Sequence, residues 1–295
     1  MQLIRAALKR GNKNQLNAWF HSGQPIALPD IVSSIHFTAT DFDPKLAAFN
    51  QLHDWHYSYL HPCFPQFLGL PQTIDALAHH RSPFPLMGLV HLENRIESIK
   101  KLRNDDLRID CRLSDIATHA RGVTTTIEMS VYQFDKLCLQ ASSKYLYRIV
   151  SDKVTPNPSH TDSASSAPIS RVLEDAGTMR FGENAGRKYA SLSGDYNPIH
   201  LSKLTAKIFG FKTNIAHGMH VLALTLSKLN TNLFEQPYLL SSQFNHPVAL
   251  PCTAHLKRSA HVMPTEQDLS FELHDPTASR RKQVVLTGTA SAHIA

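Results

Sequence analysis

Two side chains five positions apart carry the densest chemical signal in the sequence. They are Asp195 and His200, in the stretch Tyr189-Ala190-Ser191-Leu192-Ser193-Gly194-Asp195-Tyr196-Asn197-Pro198-Ile199-His200. An aspartate is ionised at neutral pH, while an imidazole with the ordinary pKa of about 6.5 is mostly neutral. Held together, the two could grip one water, take a proton from it and return one, as a syn addition or elimination of water requires. A third part stands at Gly218, at the expected N-terminus of a later helix. There an unpaired N–H points outward, the helix dipole is favourable and no side chain obstructs a ligand. Such an amide could hold the oxyanion of a polarised carbonyl, and losing one donor of this kind typically costs about 10²–10³ in rate.

Each part also has a plain structural reading. Asp-x-Asn-Pro is a common turn signature, an Asp/His pair is frequently structural, and Gly218 alone is a helix-start glycine. Tyr189, Leu192, Ala206 and Phe209 read as core positions.

The elements that must position these groups follow from the spacing of apolar residues. A helix is expected over about 183–192, with Ala185, Tyr189 and Leu192 on one face, breaking at Ser193-Gly194. Pro198 fixes its own backbone and pushes Asn197 toward an extended conformation, so the helix cannot continue. The Asn197 side chain can hydrogen-bond across the turn and stiffen it. A short helix over about 203–209 should end at Gly210, and His217-Gly218 should open a longer one carrying Met219, Leu222, Leu226 and Leu229 on one face. Strand candidates follow at 238–249, 253–263, 268–274 and 283–292.

The first half has the same plan. Asp43-Pro44 looks like one helix start, and a helix over 71–78 carries Ile74, Leu77 and Ala78 on one face. Four strands are then expected, from Leu86 toward Ile96, over 107–113, over 124–132 and over 137–147. The polar, turn-rich run between, with Pro156-Asn157-Pro158 and Ser163-Ala164-Ser165-Ser166, reads as a linker. The expected domains are therefore 1–150, a linker over 151–169, and 170–295. Helix then four strands, twice, suggests a duplicated α+β unit with an antiparallel sheet and one buried helix.

Composition narrows the function classes. In 295 residues, 42% hydrophobic and 18% charged residues are those of an ordinary globular protein. No run approaches eighteen apolar residues, so no membrane span is expected. The net charge of +6 suits an anionic partner. No basic run interleaved with aromatics points to nucleic acid. Cys63, Cys111, Cys138 and Cys252 are scattered without a CxxC pair, as reduced thiols in a reducing, cytoplasmic compartment would be. His53/His56 and His79-His80 lack a second half at zinc-ligand spacing, so no metal site is expected. Residues 1–29 hold Arg5, Lys9, Arg10 and Lys13 with no acid. They read as a basic helix of the mature fold or, alternatively, as a mitochondrial transit peptide leading to the matrix.

Taken together, the motif resembles the MaoC-like family of hot-dog dehydratases, of the (R)-specific enoyl-CoA hydratase type. That family's pattern is approximately Y-A-x-x-S-G-D-x-N-P-[IL]-H, followed later by H-G-M. Tyr189, Ala190, Ser193, Gly194, Asp195, Asn197, Pro198, Ile199 and His200 match it, as do His217-Gly218-Met219. Six fixed identities would coincide by chance on the order of once in 10⁷–10⁸ starts. The match covers about 175–295; the first half, with Phe84-Pro85-Leu86-Met87-Gly88-Leu89-Val90-His91, looks like a degenerate copy without the motif.

The resemblance implies a double hot-dog, two antiparallel sheets each wrapping a central helix and forming a pseudo-dimer, with a homodimer of such chains as a further level of assembly. It implies reversible hydration of a trans-2-enoyl-CoA to the (R)-3-hydroxyacyl-CoA. Asp195 and His200 would be catalytic, Gly218 would form the oxyanion hole, and Ser193, Gly194, Asn197 and Pro198 would support the loop. No cofactor is implied, because the thioester supplies the acidity. Lys203, Lys212, Lys257 and Arg258 are candidate contacts to the phosphates of coenzyme A, with simple surface solvation as the competing role. The alternatives are a dehydratase acting on acyl-carrier-protein thioesters, a hot-dog thioesterase, and a non-catalytic acyl-CoA-binding module.

Overall fold

In a computed structural model, residues 9, 11–22, 27–149, 172–229, 231–259 and 268–292 are described. The expected linker at 151–169 lies outside the described residues. So do 1–8, 10 and 23–26 of the basic N-terminal stretch and the end of the strand expected over 253–263. Within that stretch, α1 spans Lys13–Ser22.

Alternation of apolar and polar residues builds the strands. In β3 (Leu107–His119) Leu107, Ile109, Cys111 and Leu113 are buried, and in β9 (Asp268–His274) Leu269, Phe271 and Leu273 are. Successive side chains of a strand point to opposite faces, so these residues line one face of the sheet. The first half runs β1 (Val32–Phe37), α2 (Ala39–His53), α3 (Phe64–Leu68), α4 (Leu70–Ala78), β2 (Val90–Ser98), β3, β4 (Gly122–Gln133) and β5 (Lys136–Arg148). The second runs β6 (Leu173–Phe181), α5 (Ala185–Ser193), a 3-10 turn (Pro198–His200), α6 (Lys203–Ile208) and α7 (Gly218–Lys228). It ends with β7 (Tyr238–Phe244), β8 (Cys252–Ser259), β9 and β10 (Val284–Ala292).

The ten strands form one sheet in the order β1-β3-β4-β5-β2-β7-β10-β9-β8-β6. Read inward from each end, the two halves give the same order, so the chain is a duplicated unit. The halves meet where β2 pairs antiparallel with β7, from Glu93 opposite Gln243 to Ser98 opposite Tyr238. This is an α+β double hot-dog in which the two expected sheets join into one. Each unit also has a strand before its helices, β1 or β6, that the apolar pattern did not announce. Both lie at the sheet's ends, and β6 is irregular between Asp175 and Thr178.

Helix α7 is buried through His220, Val221, Leu222, Ala223, Thr225 and Leu226, and is held to the first half by polar contacts. His61 Nε2–H donates to Ala223 O at 3.1 Å, and Tyr59 Oη–H to Thr231 O at 3.0 Å. His53 spends its Nδ1–H on Phe49 O, so its Nε2 accepts from His220 Nδ1–H at 3.0 Å. No helix among the described residues is long and apolar enough to cross a membrane.

Candidate active site

Helix α5 stops where the sequence said it should. Gly194 sits at its C-terminus with φ +79°, in the left-handed region that only glycine enters freely, and its N–H donates to Ala190 O. The chain then turns on short local bonds: Asp195 N–H to Ser193 Oγ at 3.1 Å and Asn197 N–H to Asp195 Oδ1 at 3.2 Å. Pro198 begins the 3-10 turn that presents His200. Two further contacts fix it. Thr205 Oγ1–H donates to Pro198 O at 2.6 Å, and Arg187 Nε–H to Leu201 O at 2.7 Å. Gly186 lets α5 lie directly against the turn; a Cβ there would fall 2.1 Å from His200 O.

The loop differs from expectation in one respect. The turn is closed by the backbone N–H of Asn197 on the Asp195 carboxylate, not by the Asn197 side chain. Asn197 Oδ1 is buried without a hydrogen-bond partner among the described residues, and the residue lines the cavity beside Asp195.

Asp195, His200 and His217 each bring a donor atom within 4.8 Å of the others. That is close enough for one water to bridge the carboxylate and an imidazole. His200 Nδ1 lies 2.9 Å from Ile215 O, a pure acceptor, so Nδ1 carries the proton and Nε2 is a bare lone pair. Burial lowers the pKa of His200, against the opposing pull of the Asp195 charge and the bond to Ile215 O. The ring is therefore a neutral base.

His217, which the sequence offered as a helix start and as part of the His217-Gly218-Met219 match but without a role at the site, is part of the same cluster. Its Nε2–H donates to Asp195 O at 3.0 Å, and its ring stacks on His200 with centroids 3.6 Å apart. Burial and the neighbouring His200 hold it well below the ordinary histidine range. Three donors within this distance could in principle hold a metal ion. The two rings are stacked, and with His217 Nε2–H committed to a carbonyl its Nδ1 is a buried lone pair without a hydrogen-bond partner among the described residues.

Gly218 is the first residue of α7. A Cβ on it would come within 3.1 Å of the Phe244 ring, so the glycine also accommodates Phe244. Phe244 in turn packs on His91 at 4.7 Å, and His91 stacks on Tyr145 at 4.7 Å. This row of rings crosses β7, β2 and β5, the seam between the halves. Burial lowers the His91 pKa to about 4 although the Asp195 charge pulls it up. Its Nε2 has no hydrogen-bond partner among the described residues.

Asp195, His200 and Gly218 share one cavity of about 920 Å³, and the first half supplies much of its wall. Leu70, Ile74 and Leu77 of α4 line it with Leu86, Met87 and Leu89. The signal for this wall is the apolar face of the helix expected over 71–78, which carries Ile74 and Leu77. Of the four cations expected near a coenzyme, only Lys212 borders the cavity. Lys257 faces Asp175 and Glu272 across the sheet, and Arg258 donates to Leu229 O. Lys203 begins α6.

Comparison with known proteins agrees with this arrangement. Residues 165–261 match a family described as MaoC like domain. Over 197 residues the chain is 29% identical to "3-hydroxyacyl-thioester dehydratase X" of Mycobacterium tuberculosis (strain ATCC 25618 / H37Rv), covering 65% of this chain and 67% of that protein. The fold is similar to the crystal structure of HtdX from Mycobacterium tuberculosis, with TM-score 0.70 and 23% identity, over 89% of this chain and 100% of that one. It is also similar to a Mycobacterium tuberculosis protein described as having a double hotdog fold. There the TM-score is 0.55 at 12% identity, over 91% of this chain and 97% of that one.

Proposed function

We propose that this chain, whose residues 165–261 match a MaoC like domain, is a hydro-lyase acting on 3-hydroxyacyl thioesters. In the hydration direction it adds water to a trans-2-enoyl-CoA and yields the (R)-3-hydroxyacyl-CoA. The observation that carries the reading is a carboxylate and a neutral imidazole with a bare Nε2, together on the wall of a largely apolar cavity.

The water sits between Asp195 and His200 Nε2. As its oxygen bonds to C3, one proton passes to the pair, and the pair returns a proton to C2. The substrate thereby gains one OH and one H, and the enzyme ends as it began. Gly218 N–H donates to the thioester oxygen while negative charge gathers there as the enolate forms. His217 acts through Asp195: its bond to the Asp195 carbonyl keeps the carboxylate from swinging away. The first half gives the acyl chain its apolar bed, and residues 1–150 and 170–295 act as the lining unit and the catalytic unit of one pseudo-dimer.

Hydration of crotonyl-CoA, followed by loss of the enoyl thioester absorbance, tests this. The expected product is (R)-3-hydroxybutyryl-CoA. No turnover, or an (S) product, would overturn the assignment.

A further inference from the structure

The antiparallel order of the sheet gathers six strand ends at one lip. β4 begins at Gly122, opposite Arg148 at the end of β5, and β2 begins at Val90, opposite Leu146. β7 ends at Phe244, opposite Leu286 near the start of β10, and β9 ends at His274, opposite Val284. The cavity opens along this lip, and four exposed cations border it: Arg121, Arg148, Lys212 and Lys282. Arg121 and Arg148 come from the first half, Lys212 and Lys282 from the second.

What marks these four is that they border one cavity together with the proposed catalytic pair. Arg95, Lys101, Arg108 and Lys144 each lie within ion-pair distance of a carboxylate. None of the four at the lip has such a partner among the described residues. The acids in the cavity wall are Asp195, in the catalytic cluster, and Asp275. Asp275 Oδ1 already accepts from Thr277 N–H at 2.8 Å and Thr277 Oγ1–H at 2.6 Å. The wall therefore carries four uncompensated positive charges on four separate segments, in the cavity that also holds the proposed catalytic pair. Unpaired cations converging on a recess concentrate an anion there and bind phosphate oxygens through charge-assisted hydrogen bonds.

We propose that Arg121, Arg148, Lys212 and Lys282 form the binding site for the phosphates of a coenzyme A head, its 5′-diphosphate and 3′-phosphate. The inference rests on the thioester reading above and deepens it by assigning the residues that hold the carrier's phosphates. Several phosphate groups set ångströms apart match cations supplied from both halves. A phosphopantetheine arm on a carrier protein brings a single phosphodiester to the same mouth.

The test is calorimetric titration of the full chain with coenzyme A, 3′-dephospho-coenzyme A and pantetheine. The same titrations are made on the double variants Arg121→Gln/Arg148→Gln and Lys212→Gln/Lys282→Gln. Coenzyme A should bind about tenfold or more tighter than pantetheine, with dephospho-coenzyme A between them and the difference shrinking as salt is raised. Each double variant should lose about tenfold in affinity for coenzyme A and lie closer to its affinity for pantetheine. In turnover, the KM for crotonyl-CoA should rise more than that for crotonyl-pantetheine.

Equal binding of coenzyme A and pantetheine by the unaltered chain would overturn the proposal, as would variants that keep full affinity. So would a larger KM loss on a crotonyl-carrier-protein substrate than on crotonyl-CoA. Failure here is distinct from failure of the reaction. A chain that binds coenzyme A through the lip but hydrates nothing refutes only the reaction. One that hydrates crotonyl-CoA without preferring it to crotonyl-pantetheine refutes only the lip.

Discussion

The two halves share a strand order and differ in what they place beside the central seam. The second half ends α5 on Gly194, turns on Pro198 and delivers Asp195, His200 and His217 to one point. The first half crosses the equivalent interval with the short α3 and α4, and apolar side chains of α4 become cavity wall. Where the second half has stacked imidazoles facing the cavity, the first has His53 and His61 sealed in the core against α7. On the proposed reading, a duplicated fold needs one reactive copy. The other is free to become lining, and its burial of neutral rings fixes the position of α7, which carries Gly218.

Breaking the reactive half should have the largest effect. His200→Gln keeps a side-chain donor able to reach Ile215 O but removes the base, and should lower kcat for crotonyl-CoA by about 10³-fold. A rate within tenfold of the unaltered chain would remove His200 from the chemistry. Next in size is Gly218→Pro, which suits the first position of a helix but has no N–H; kcat should fall by about 10²–10³. Gly218→Ala keeps the N–H and only crowds Phe244, so about tenfold is expected, partly recovered by adding Phe244→Leu. If Ala and Pro were equally damaging and Phe244→Leu gave no recovery, crowding would explain both and the donor role would fail.

The first half is probed through substrate length. Ile74→Trp and Leu70→Trp narrow the wall formed by α4, and should raise KM for a long-chain enoyl-CoA about tenfold while crotonyl-CoA changes little. An equal loss on both substrates would show that the first half does not bed the acyl chain.

A smaller effect separates the halves by pH. Burial lowers the pKa of His200. The neutral base then persists below the ordinary value of about 6.5, and the acid limb of kcat should lie under that pH. Stability follows the buried rings, with His53 at about 4 and His61 at about 3. An unfolded chain takes up protons below about 6.5 that the folded chain refuses, so stability is full above that pH and drains as pH falls toward 4. Thermal unfolding midpoints measured from pH 7.5 to 4.5 should fall monotonically. A flat profile would contradict the neutral buried cluster.

Much of this was legible in the sequence because the reactive loop is specified locally. Gly194, Pro198 and the Asp195–Asn197 turn act within a few residues of one another, so the helix stop and the turn are legible in the spacing, while the Asn197 side chain, expected to close the turn, does not. The rest depends on contacts across the fold. His217 reaches Asp195 only because α7 is buried beside the loop, and no spacing rule links positions 195 and 217. His91 and Phe244 meet only where β2 pairs with β7. The end strands β1 and β6 escaped because an edge strand is half solvated, so its apolar alternation is weak. Charge was the least legible: Lys203, Lys257 and Arg258 lie near the motif or in its half but away from the mouth. Arg121 and Arg148, distant in sequence, are brought to it by the order of the sheet.

The claim that a duplicated fold carries one working site is tested most directly by the turnover of Asp195→Asn on crotonyl-CoA. The amide oxygen can still accept the Asn197 N–H, so the loop should keep its shape and the unfolding midpoint should barely move. The account predicts a residual rate below about one-thousandth of the unaltered chain. A rate near the original would dismiss Asp195, and a rate near one half would reveal a second site in the first half.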